Sequence, residues 1–161
     1  MGNCRQATIG LIAAAILMMS AAQGFAGECR ENLVVLRGDW GQAQFTIEVA
    51  DTNAERAKGL MNRESMPKTA GMLFVYPRPK TVGFWMKNTL IPLDMIFMDR
   101  TGTVQHVHHE AQPGDLSPKF GGDNIQYVLE INGGLAKQIG IVPGTQLRHP
   151  AIPEDRAAWP C

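Results

Sequence analysis

Charge of one sign, long apolar runs and cysteine are all in short supply in this chain. Its 15 basic and 15 acidic side chains cancel to a formal net charge of +0. With no basic excess to track phosphates, nucleic acid is excluded as an expected partner. Only one uncharged apolar run is extended, Ile9 to Ala22. It falls short of the ~20 residues that a membrane span needs, and no later run reaches that length. Three cysteines, at positions 4, 29 and 161, are all the chain carries. There is no nucleophile elbow, no Gly-rich phosphate loop and no Cys–His arrangement after the first apolar run, so familiar routes to catalysis are missing. Internal repeats and low-complexity segments are missing too.

What is present begins with an address. Arg5 precedes the Ile9–Ala22 run, and Gly24-Phe25-Ala26 places small residues where a signal peptidase reads. Residues 1–26 therefore read as a secretory signal peptide cleaved after Ala26, which sends the protein to the periplasm or outside the cell. Cys29 and Cys161 remain at the two ends of the exported chain. In an oxidising compartment they are expected to pair, because chain termini often lie close together.

The exported part is long enough for one core. In Phe45-Thr46-Ile47-Glu48-Val49 apolar and polar residues alternate, the pattern of a half-buried strand. Further strands are expected over 34–37, 72–76, 81–86, 93–98, 103–108, 125–131 and 145–148. Thr52-Asn53-Ala54-Glu55 is a capping box that starts a short helix, and Leu135 to Ile139 makes a second that stops at Gly140. Residues 112–123, rich in Gly and Pro, read as a loop that could lie over the Trp85 region. The expected fold is α+β and mainly β: a compact single domain with a barrel-like mixed sheet of about eight short strands and two short helices. The expected boundaries are a signal peptide over 1–26, an N-terminal segment over 27–43, the main domain over 44–149 and an irregular tail over 150–161.

Several blocks are specific: Gly59-Leu60-Met61-Asn62-Arg63, Gly71-Met72-Leu73-Phe74, Phe84-Trp85-Met86-Lys87-Asn88-Thr89, Pro92-Leu93-Asp94 and Val128-Leu129-Glu130. In these blocks the chain resembles the domain-of-unknown-function 192 family (DUF192) from about Phe45 to Leu147. The resemblance implies a small mixed β domain, often exported, with no agreed activity.

The candidate site comes from the residues themselves. Lys87, Asn88 and Asp94 interrupt the most apolar stretch after the leader, and Glu130 interrupts another. A buried carboxylate is costly unless paired or hydrogen-bonded. Lys87 and Asn88, across a short turn, are the expected partners of Asp94, and Arg63 is a second cation. Together with Trp85 as an aromatic floor, Arg63, Lys87, Asn88, Asp94 and Glu130 form the candidate ligand-binding set. The leading reading is a small-molecule-binding or accessory domain with no cofactor. Its partner would be an unknown small molecule or a periplasmic protein. Three alternatives stay open. The cluster could be purely structural, in a protein-interaction module. Asp94 or Glu130 could be a general base. Or His106 and His108, about 6–7 Å apart on one strand face, could hold copper together with methionine thioethers.

Overall fold

The computed structural model describes residues 29–161. The expected signal peptide and its cleavage site lie outside the described residues. In chain order the elements are strands β1 (Leu33–Gly38) and β2 (Gly41–Ala50), helix α1 (Asn53–Lys58), strands β3 (Ala70–Lys80), β4 (Gly83–Phe84), β5 (Leu93–Met98), β6 (Val104–Ala111), β7 (Lys119–Phe120) and β8 (Ile125–Asn132), helix α2 (Leu135–Ile139) and strand β9 (Gln146–Arg148). The fold is mainly β, as expected.

Local chemistry explains the key elements. In β2 the alternation buries Phe45 and Ile47 and exposes Gln44, Thr46 and Glu48. At α1 the Glu55 N–H donates to Thr52 Oγ1 (3.2 Å) while the Thr52 N–H donates to Glu55 Oε2 (3.0 Å), so the capping box is complete. Gly59 ends the helix at φ 48°, a left-handed value that glycine tolerates.

Seven strands form one sheet in the order β6-β5-β8-β3-β2-β1-β9. All neighbours are antiparallel except β2 and β3, which run parallel and need α1 as their crossover. The sheet curls until its two edges meet at one end. Thr103 bridges Gln146, the Val104 N–H donates to Thr145 O (2.8 Å) and the Leu147 N–H to Gly102 O (2.9 Å). Closure of this kind hides backbone edges that would otherwise template aggregation.

The curled sheet separates two cores. Val34, Phe45, Leu73, Ile96, Leu129 and Leu147 fill its inside. Leu60, Phe74, Phe84, Met86, Met95 and Val128 lie on the outer face, beneath the chain that leaves α1 and the segment around β4. β5 is buried along its whole length, and β8 in all but its last residue. Strands covered on both faces read as unbroken apolar runs, and that is how these two read.

Two expectations need correction. The strand expected over 81–86 shrinks to β4, and the loop expected over 112–123 contains β7, which pairs with it. The Met86 N–H donates to Asp115 O (2.8 Å) and the Gly114 N–H to Met86 O (3.0 Å), so this segment bonds to the 112–123 stretch instead of joining the main sheet. That stretch is anchored by these bonds and by β7.

Cys29 and Cys161 form a disulfide, with Cα atoms 5.7 Å apart. In the tail, the Trp159 ring lies against two guanidinium groups, with Arg37 at 4.4 Å and Arg148 at 4.6 Å. β1 belongs to residues 27–43, the stretch set apart on sequence, yet it runs between β2 and β9 in the main sheet.

Candidate functional site

The two acidic residues of the expected cluster lie on opposite faces of the sheet. β5 and β8 pair so that Asp94 faces Ile131 while Met95 faces Glu130. Successive side chains on a strand alternate sides. Asp94 therefore points inside with Ile96 and Met98, and Glu130 points outward with Met95 and Val128.

Asp94 is fully buried, and its partners are backbone amides. Its Oδ1 accepts from the N–H groups of Glu110 (2.8 Å) and Gly134 (3.0 Å), and its Oδ2 from Ala136 (2.7 Å). One carboxylate thus ties β5 to the end of β6 and to the start of α2. The Glu110 backbone sits at φ 49°, beside a register shift between β5 and β6, and this conformation turns its N–H toward Asp94. His109 Nδ1 is 4.0 Å from Asp94 Oδ1.

The expected pairing of Asp94 with Lys87 and Asn88 is therefore corrected. Those two lie on the outer side, in the turn closed by the Thr89 N–H on Met86 O (3.1 Å). Asn88 adopts φ 54°, and Asn is among the few non-glycine residues that accept that conformation. Its carbonyl receives the Asn62 N–H (2.8 Å), which joins this turn to the chain leaving α1. Lys87 Nζ rests 5.3 Å from the centroid of the Trp85 ring. Arg63 pairs with the exposed Glu48 of β2 (2.5 Å), away from Asp94.

Glu130 is the unusual group. It is 4 % exposed, flanked on its neighbouring strands by Met72 and Met95. Among the described residues its carboxyl has no hydrogen-bond donor and no paired cation. Burial alone pushes its pKa up to about 8, so at neutral pH it is mostly the uncharged acid. It lines a cleft of about 430 Å³, open mouth included, between α1 and the 83–89 segment. Phe74, Tyr76, Phe84 and Trp85 supply aromatic walls, Thr89 a hydroxyl, and Arg56 and Lys58 cationic groups. Trp85 is half exposed at 51 %. Phe74 and Phe84 meet edge to face at 4.9 Å.

The structure brings Trp85 and Glu130 together in one cleft, sets Lys87 against the Trp85 ring, and leaves Arg63 and Asp94 elsewhere. Sequence reasoning missed Arg56, Lys58, Tyr76 and Thr89. The Arg56 guanidinium donates to Val75 O (2.7 Å), to the Asp51 carbonyl and to Asn53 Oδ1 (2.7 Å). It also lies 5.1 Å from the Tyr76 ring centroid, with Lys80 Nζ at 4.8 Å. Burial raises the Tyr76 phenol above its ordinary value; Arg56 opposes that shift and Glu130 adds to it. No local pattern marks these residues, because their meeting depends on the α1 crossover.

His106 is exposed and His108 half-buried on β6. Burial, then the charge of Lys119, lowers the His108 pKa. Among the described residues no three His, Cys, Asp or Glu side chains converge as metal ligands. Met72, Met86, Met95 and Met98 pack in the cores.

The family model DUF192, described as "Uncharacterized ACR", matches residues 34–149. A crystal structure of a protein of unknown function from Novosphingobium aromaticivorans DSM 12444 is 42 % identical, with a TM-score of 0.70. The match covers 71 % of this chain and 82 % of that one. A Sinorhizobium meliloti 1021 protein, described as a proposed transcription regulator, is 36 % identical with a TM-score of 0.71. There the match covers 74 % of this chain and 93 % of the other. The search of curated proteins found no match.

Proposed function

The chain belongs to the DUF192 family, and within it we propose that this member is an exported small-molecule-binding protein whose ligand enters the cleft floored by Glu130. The observation that carries this reading is a buried carboxyl without a partner among the described residues, facing an open, aromatic-walled cleft. Polar groups buried at a cost to stability are commonly kept for function. Of the residues expected at the site, Trp85, Lys87 and Glu130 remain its members. Asn88 shapes the turn that carries Thr89, while Asp94 and Arg63 act in the framework. Export is supported by the leader-like residues 1–26 and by the Cys29–Cys161 disulfide. The transcription-regulator description of the Sinorhizobium relative is not carried over, because the sequence has no net basic excess of the kind that supports phosphate tracking.

A thermal-shift screen of small metabolites against the wild type and Glu130→Leu tests the site. Stabilisation of the wild type by a compound that leaves Glu130→Leu unmoved is expected. Compounds that stabilise both proteins equally would remove the cleft from consideration. N-terminal sequencing of the exported protein checks the address, with Gly27 as the expected first residue.

A further inference from the structure

Resting on the reading of the cleft as a ligand site, we propose that its occupant is a small organic anion, a carboxylate on a flat apolar body. One carboxylate oxygen accepts the Glu130 O–H, and the ligand's charge faces Arg56 and Lys58.

The distribution of charge supports an anion. Among the described residues Glu130 is the only acid lining the cleft, whereas Arg56 and Lys58 both line it. Two more cations rest against its aromatic walls: Lys80 on Tyr76 and Lys87 on Trp85. An organic cation would enter against this field, and a carboxylate would be drawn in by it. At the floor, a cation would require Glu130 to give up its proton. A carboxylate uses the acid as it stands, as donor of a charge-assisted hydrogen bond. The half-exposed Trp85 indole, with the half-buried Tyr76 ring beside it, leaves a flat apolar body a surface to lie on.

The groups facing Glu130 are few. Across the sheet they are Met72 of β3 and Met95 of β5, which do not titrate. On β3, Tyr76 is held above its ordinary phenol value, first by burial and lastly by the Glu130 charge, so it does not titrate near neutrality. Arg56 and Lys58 come from α1, and Thr89 and Trp85, with Lys87 on its ring, from the opposite wall. Within this set Glu130 is the group whose protonation changes in the slightly alkaline range. Its acid form prevails below about 8. Affinity for a carboxylate is therefore steady from mildly acid to neutral pH and drops about tenfold per pH unit above that point.

The test is calorimetric titration with three carboxylates (phenylacetate, benzoate and indole-3-acetate), beside the matched neutral phenylacetamide and the cation benzylamine. The expected result is binding of at least one carboxylate at pH 6.5, weaker or absent for the amide and the amine, with the alkaline loss above. Glu130→Gln keeps an N–H donor but cannot titrate. It should retain binding within a few-fold and lose the alkaline dependence. Lys58→Glu, at an exposed position, should weaken binding several-fold with no change in the alkaline midpoint. Binding of benzylamine or phenylacetamide without any carboxylate overturns the anion and leaves the cleft reading standing. An alkaline loss that persists in Glu130→Gln also overturns the inference. Binding by no compound of any charge overturns the cleft reading with it.

Discussion

A buried carboxyl needs donors, a cation or a proton. Asp94 and Glu130, the two buried acids among the described residues, meet that need in opposite ways. Asp94 collects three backbone N–H groups from two other elements. Glu130 collects none and keeps its proton. A single-atom change at Asp94 exposes the difference. Asp94→Asn places an amide N–H₂ against N–H donors and leaves at least one of them unsatisfied. The expected loss is about 3 kcal/mol, or a fall in melting temperature of about 10 °C for a domain of this size. Differential scanning calorimetry checks it, and faster hydrogen exchange at the Glu110, Gly134 and Ala136 amides should accompany the loss. The sequence made the buried character of both acids readable, because each breaks an apolar run. It could not reveal that they face opposite ways. Parity along one strand is local, whereas the register that sets Met95 beside Glu130 is a tertiary fact.

Among the elements, those with a local signal were legible and those made by pairing were not. The alternation in β2, the capping box of α1 and the glycine stop of α2 announce themselves within a few residues. β4 and β7 do not, since each is two residues long and exists because the other is there. Their ribbon carries Trp85 to the rim of the cleft, and its seat on the main sheet is tight. A Cβ built on Gly121 would lie 2.1 Å from Cγ and 2.3 Å from Cβ of Phe97, which is itself fully buried. Neither atom is the free end of a flexible chain. Gly121→Ala should therefore cost about 2 kcal/mol, read by chemical denaturation. Gly114→Ala makes a useful contrast, because its Cβ would meet nothing within 4 Å and only its φ of 77° would carry a penalty.

At the scale of the whole molecule, the curled sheet accounts for both the framework and the site. Its inside is closed, sealed at one end by the 102–104 and 145–147 bonds and held at the termini by Cys29–Cys161. Its outer core is roofed only by short segments, and the cleft lies where that roof is thin. The mainly β, barrel-like character was legible from strand spacing and from the resemblance to the family. The cleft was not, because Arg56, Lys58 and Tyr76 reach it from α1 and the far part of β3. The central claim is that Glu130 is held there as an uncompensated acid, at a cost to the fold. Its pKa of about 8 in the folded chain stands above the ordinary 4.5. The native state therefore holds a proton that the unfolded state releases, and stability from this group falls as pH rises from about 4.5 to 8. The loss is on the order of 4 kcal/mol. The most direct measurement is urea unfolding of the wild type and Glu130→Gln from pH 5 to 8.5, read as the difference between the two so that histidine titrations cancel. The account predicts that the variant gains on the wild type steadily with rising pH and levels off near pH 8. Parallel curves across that range would contradict it.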